Sequence, residues 1–123
     1  MPDKKHILLV EDDGFLASIY AQKLEVEGFD VSLATNGEDG LRLAMKDHPA
    51  LILLDLIMPK LDGFQVLERL KGDAETKAIP VLVLSNLGQK EDVDRCMALG
   101  AAGYLIKAHT LPHETIVKVK ELT

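Results

Sequence analysis

A single cysteine, Cys96, stands in 123 residues. It permits no internal disulfide and fits a reducing cytoplasm, so Cys96 reads as a buried helix residue rather than a reactive thiol. Basic side chains are outnumbered, 14 Lys and Arg against 20 Asp and Glu. The formal net charge of −6 argues against direct nucleic-acid binding, because phosphate recognition needs basic surface. No apolar stretch approaches membrane length. Met1-Pro2-Asp3-Lys4-Lys5 is basic enough to open a signal peptide, but the apolar run from Ile7 to Val10 is four residues long and ends in three acids. No signal peptide follows, and neither membrane span nor membrane partner is expected. Repeats, low-complexity tracts and linkers are missing as well. What is present, 47% apolar and 28% charged residues, describes one globular domain over 1–123 with a well-formed core.

The apolar residues alternate between two periods. His6 to Val10, Asp30 to Ala34, Leu51 to Asp55, Pro80 to Ser85 and Tyr104 to Lys107 read as strands. Between them lie helical stripes: Leu16, Ile19, Tyr20 and Leu24 behind an Asp13 cap, then Leu41, Ala44 and Met45, then Leu67 and Leu70. A fourth helix over Glu91 to Leu99 turns Val93, Cys96 and Met97 inward, and a last one starts at Pro112 and buries Ile116, Val119 and Leu122. Five strands alternating with five helices predict an α/β fold with a parallel sheet. Unbroken apolar runs such as Ile52-Leu53-Leu54 suit strands covered on both faces.

Four strands carry polar residues at their carboxyl ends: Glu11, Asp12 and Asp13 after the first, then Asp55, Ser85 and Lys107. In open α/β sheets that rim is where ligands bind, at the switch point if the strand order is 2-1-3-4-5. Carboxylates about 5 Å apart at an effective dielectric near 20 repel by roughly 3 kcal/mol per pair. A positive group must sit among them unless the acids are simply solvated; Lys107 is one candidate and a hard divalent cation the other. A dinucleotide or flavin site needs a phosphate-cradling turn after the first strand, and Glu11-Asp12-Asp13 would repel phosphates. An aspartate-nucleophile phosphatase of the haloacid dehalogenase type needs a second acid two residues after the nucleophile, where Ile57 stands. No Ser-His-Asp order is present, and His6, His48, His109 and His113 are too scattered for zinc. A metal-assisted phosphoryl acceptor remains, with Asp55 as the attacking carboxylate and Lys107 and Ser85 facing the phosphoryl oxygens.

At these residues the chain closely resembles the receiver domain of two-component response regulators. The resemblance is carried by Val10-Glu11-Asp12, by Leu54-Asp55 with Met58-Pro59-Lys60-Leu61-Asp62-Gly63, by Leu84-Ser85, and by Gly103-Tyr104-Leu105-Ile106-Lys107. It covers essentially the whole length and implies a doubly wound (βα)5 flavodoxin-like three-layer sandwich. It implies that Asp55 accepts a phosphoryl group from a sensor histidine kinase or phosphotransfer protein. It implies that Glu11, Asp12, Asp55 and the backbone carbonyl of Ile57 hold Mg²⁺ (or Mn²⁺). Ser85 is then the switch hydroxyl, Lys107 the phosphoryl-contacting cation, and Tyr104 the switch aromatic. The output surface is the fourth helix, fifth strand and fifth helix, read by a downstream effector protein or domain. Such a protein is a cytoplasmic signalling switch and not an enzyme, beyond assisting its own phosphorylation and slow dephosphorylation. A receiver-like module that never uses phosphorylation is the rival, opposed by the complete Glu11/Asp12/Asp55/Ser85/Lys107 set. A stand-alone regulator is expected over the first domain of a DNA-binding one, and phosphorylation-driven dimerisation is left open.

Three departures from the family pattern carry expectations. Lys107 is followed by Ala108 where the family usually has a cis-linked proline, so a trans bond is expected, since a non-proline cis bond costs about 3–4 kcal/mol. Asn86 replaces a small residue after Ser85 and narrows access to Asp55. Ile57 and Leu87, two residues past Asp55 and Ser85, offer a hydrolytic water no hydrogen bond, which predicts a long-lived phosphorylated state.

Overall fold

The computed structural model describes residues 4–123. The start of the signal-peptide-like segment, Met1-Pro2-Asp3, lies outside them. The elements run β1 (His6–Val10), α1 (Gly14–Val26), β2 (Asp30–Ala34), α2 (Gly37–Asp47), β3 (Leu51–Leu54), α3 (Gly63–Gly72), β4 (Val81–Ser85), α4 (Lys90–Ala98), β5 (Gly103–Ile106) and α5 (Pro112–Leu122). The strands form one sheet of order β2-β1-β3-β4-β5, every pair parallel.

Side chains alternate across each strand, so each apolar run is divided between two cores. Leu8, Val10, Ile52, Leu54, Val81 and Val83 pack against α2, α3 and α4 through Ala44, Val66, Leu67, Leu70 and Cys96. Ile7, Leu9, Leu51, Leu53, Leu82 and Leu84 pack against α1 and α5 through Ala17, Tyr20, Leu24, Ile116 and Val119. This two-sided cover is why β1, β3 and β4 show no polar alternation. The three-layer sandwich with helices on both faces is the fold anticipated from the sequence.

Two inward assignments are corrected. Met45 and Met97 are 37% and 46% exposed. In α2 the buried residues are Gly37, Gly40 and Ala44. A Cβ on Gly40 would sit 3.0 Å from Val10, so small residues hold this helix against the sheet and Met45 is turned away. In α4 Cys96 is the buried residue, with Val93 and Leu99 half-buried, and Met97 lies about 100° around the helix from Cys96. The helix itself starts at Lys90, and β3 ends at Leu54, one residue short of Asp55. The Lys107–Ala108 bond is trans, as expected, with Lys107–His109 forming a single 3₁₀ turn.

Cys96 is buried as anticipated, and that burial pushes its thiol up to about 11. Roughly one thiol in ten thousand is then ionised at neutral pH, and the thiolate is the nucleophile. Native protein is expected to resist iodoacetamide for hours at pH 7.5 and to alkylate promptly in denaturant. Prompt labelling of the native chain would contradict the packing of α4.

Candidate functional site

The main chain carries Glu11, Asp55 and Lys107 one step past their strands. The Glu11 N–H donates to the Ala34 carbonyl (2.9 Å) and the Asp55 N–H to the Val10 carbonyl (3.0 Å), so the ladder fixes both backbones. Asp13 turns the chain into α1, its carboxylate accepting from the Leu16 N–H at 3.1 Å. It is a cap, as its position suggested. Asp62 is likewise a cap: it and Gln65 form a capping box at the start of α3.

Glu11 is 3% exposed and Asp55 6%, whereas Asp12 is open to solvent. One carboxylate oxygen from each of Glu11, Asp12 and Asp55 falls within 4.8 Å of the others. The Lys107 ammonium, arriving from the end of β5, donates to Glu11 Oε1 and to Asp55 Oδ2, the latter at 3.1 Å. Asp55 Oδ1 accepts from the Ile57 N–H at 3.3 Å, and Glu11 Oε2 from the Asp13 N–H at 3.2 Å. The structure therefore brings Glu11, Asp12, Asp55 and Lys107 into one cluster.

Burial pushes the Glu11 carboxyl up to about 7, and the neighbouring Asp55 charge adds to this. The Lys107 and Asp13 hydrogen bonds offset it only in part. Burial alone would depress the Lys107 ammonium, but Glu11 and Asp55 outweigh it and raise its pKa. One cation is thus shared between two buried carboxylates while Asp12 is left over. This donor set, oxygen only and more negative than Lys107 can neutralise, fits a hard divalent cation.

Ser85 is fully buried at the end of β4, and its hydroxyl accepts from the Leu87 N–H at 3.3 Å rather than bonding an acid of the cluster. Tyr104 reaches the same loop from β5: its hydroxyl donates to the Leu87 carbonyl and its ring packs against the α2–α4 core. Burial pushes the Tyr104 phenol up to about 12, so it is a donor at any physiological pH. Leu87 thus joins Ser85 to Tyr104, a role its apolar side chain did not announce because it is played by the backbone. Asn86 is exposed beside them, and Ile57 is 55% exposed next to Asp55.

Gly63 is a second contribution hidden in the sequence. A Cβ there would lie 2.3 Å from the Asp55 carbonyl oxygen and 2.5 Å from Leu56 Cα. The α3 N-terminus presses on the backbone that presents Asp55, and its Gly63 N–H donates to the Leu56 carbonyl at 3.0 Å.

A five-stranded doubly wound parallel sheet with an acid–lysine cluster at its carboxyl rim is the architecture of a receiver domain. The chain belongs to the response regulator receiver domain family, whose model matches residues 7–118. It is a receiver domain of two-component response regulators. It is 40% identical over 116 residues to the DNA-binding dual master transcriptional regulator RpaA of Synechocystis, covering 94% of this chain and 48% of that protein. It is 34% identical to the transcriptional regulatory protein SrrA of Staphylococcus aureus, covering 94% of this chain and 46% of that one. Among solved structures, the Francisella response regulator 1452 receiver domain superposes with a TM-score of 0.89 at 29% identity, covering 97% of this chain and 96% of that one. The chain spans about half the length of the curated relatives it matches. Among the described residues no helix is long and apolar enough to cross a membrane.

Proposed function

We propose that Asp55 accepts a phosphoryl group from the phosphohistidine of a sensor histidine kinase or phosphotransfer protein. The observation that carries this is the Lys107 ammonium bound at once to Glu11 and Asp55, beside a third carboxylate. An Asp55 carboxylate oxygen attacks phosphorus as the P–N bond to the donor imidazole breaks, giving an aspartyl phosphate. Lys107 meets the incoming phosphoryl oxygens, and the Ser85 hydroxyl turns from Leu87 to donate to one of them. Because Tyr104 is tied to the Leu87 carbonyl, movement of that loop is felt at Tyr104 and on the α4–β5–α5 surface. Glu11, Asp12, Asp55 and the Ile57 backbone carbonyl would hold Mg²⁺ or Mn²⁺, which supplies charge neutralisation when bound. The domain acts in the cytoplasm and signals to an effector protein or domain without itself contacting nucleic acid. A DNA-binding output, as RpaA's name states for that protein, is the reading its half-length match favours over a stand-alone regulator. Incubation with labelled acetyl phosphate tests the proposal: label is expected with Mg²⁺ and none with EDTA. Equal labelling in both would remove the metal from the account.

Ile57 and Leu87 present apolar side chains beside Asp55 and Ser85. The aspartyl phosphate is expected to last minutes to hours or longer, and Ile57→Asn with Leu87→Glu to shorten it several-fold. An unchanged decay rate in the double variant would contradict water exclusion by these residues.

Glu11 also sets a pH dependence. Its folded pKa of about 7 lies above the ordinary 4.5, so the folded chain holds a proton that the unfolded chain has lost between those values. That stabilising contribution is present at low pH and is lost as pH rises through about 7, leaving a buried carboxylate for a cation to neutralise. Millimolar Mg²⁺ is therefore expected to raise the thermal midpoint more at pH 8 than at pH 6. An equal rise at both would contradict the assignment of Glu11 as ligand.

A further inference from the structure

The helix α4 is lightly fastened. Cys96 is its one buried residue, and its start at Gln89 has no side-chain cap. The other four helices bury three to five residues each. Among the described residues the ion pair that α4 makes, Lys90–Asp94 at 2.6 Å, stays within the helix, and no side-chain hydrogen bond ties α4 to another element. What reaches across is Arg95. Its guanidinium carbon stands 4.1 Å from the centroid of the Phe64 ring, in the first turn of α3. A guanidinium within about 6 Å of a ring centroid is held by the ring's negative face. Arg95 keeps this contact although Glu91 and Asp92 lie one turn before it on its own helix, and it forms an ion pair with neither. Phe64 is 8% exposed and lies in the core against which Tyr104 packs. It directly follows Gly63, which presses on the Asp55 carbonyl, and the Asp62–Gln65 capping box fixes that turn. Arg95 therefore joins α4 to the segment that presents Asp55, by a route separate from Ser85, Leu87 and Tyr104.

We propose that the Arg95–Phe64 contact is a latch that holds α4 in its resting place and opens when the switch is thrown. This rests on the reading of Asp55 as phosphoacceptor and of the α4–β5–α5 surface as the part that responds, and deepens it. The resting arrangement is the one seen here, with the Ser85 hydroxyl bonded to the Leu87 N–H. Leu87 leads through Gly88 and Gln89 straight into α4, so a pull on that loop is a pull on the helix. Arg95 travels with α4, whereas Phe64 is fixed by its core and by the capping box. The contact thus favours one arrangement over the other, and an equilibrium shifts only through such a difference. An exposed cation–π pair is weak enough for phosphorylation to overcome and strong enough to keep the resting form dominant.

The test titrates the full chain with beryllofluoride, a phosphoryl mimic, in Mg²⁺, following binding by amide NMR. Wild type is compared with Arg95→Gln, Phe64→Leu and the double variant. Either single change is expected to lower the half-saturating concentration about two- to fivefold, the equivalent of one exposed cation–π contact. The double variant should fall no further, because either change alone has already opened the latch. Phe64→Leu leaves the net charge untouched, so a matching effect separates the latch from long-range attraction between Arg95 and the site. Should Phe64→Leu fail to fold, Phe64→Met, a more adaptable side chain, takes its place. Without beryllofluoride, amide hydrogen exchange in α4 should speed up about two- to fivefold in both single variants while that in α1 keeps its wild-type rate. Wild-type half-saturation in Arg95→Gln, or additive effects in the double variant, overturns the proposal. Failure of the wild type to bind beryllofluoride would instead refute the phosphoacceptor reading. Exchange in α4 would then decide the latch, and wild-type rates in both single variants would overturn it.

Discussion

Asp55→Asn is expected to reduce Mg²⁺-dependent labelling by acetyl phosphate to background while the domain stays folded. The carboxamide has nearly the same shape and still offers an oxygen to Lys107, which sits 3.1 Å from Asp55 Oδ2 in the native cluster. What it lacks is a nucleophilic carboxylate. It also removes one of two buried acids, so the repulsion felt by Glu11 falls, and the thermal midpoint should hold or rise. Circular dichroism alongside the labelling assay separates loss of chemistry from loss of fold. Residual label in the folded variant would mean that another carboxylate accepts the group.

Gly63→Ala is expected to lower the stability of the domain strongly. The new Cβ would sit 2.3 Å from the Asp55 carbonyl oxygen and 2.5 Å from Leu56 Cα, backbone atoms that cannot swing aside as a side chain can. Overpacking costs typically about 1–3 kcal/mol and more where the backbone must yield. For a domain of this size that corresponds to a midpoint lowered by about 10 °C or more. Gly72 in the last turn of the same helix has open space around it. Gly72→Ala should be neutral or stabilising by up to about 1 kcal/mol, because glycine is a poor helix residue. Because the clash falls on the residue that presents the nucleophile, Gly63→Ala should also slow labelling. A midpoint within 2 °C or so of wild type would show that α3 can back away from the Asp55 turn at little cost.

The sequence exposed the parts of this molecule that depend on side-chain identity. Apolar runs ending in Glu11, Asp55, Ser85 and Lys107 located the strands and placed their carboxyl ends on one rim, and the observed strand order brings three of these four together. Asp13 and Pro112 marked helix starts through short-range chemistry that tertiary packing did not override. What was hidden depends on backbone or on rotation about a helix axis. Leu87 acts through its carbonyl and N–H, and Gly63 through the absence of a side chain, so neither residue type points to the site. Met45 and Met97 follow directly after buried residues, and composition alone cannot set a helix's rotation when small residues such as Gly40 and Ala44 carry the contact.

The central claim is that Asp55 carries the phosphoryl group, and it can be read chemically. Protein treated with acetyl phosphate and Mg²⁺ would be reduced with borohydride, which converts an aspartyl phosphate to homoserine, and then mapped by peptide mass spectrometry. Homoserine at position 55 alone is the expected result. Homoserine at Glu11's neighbour Asp12, at any other aspartate, or at no position despite a phosphorylated intact mass would contradict it.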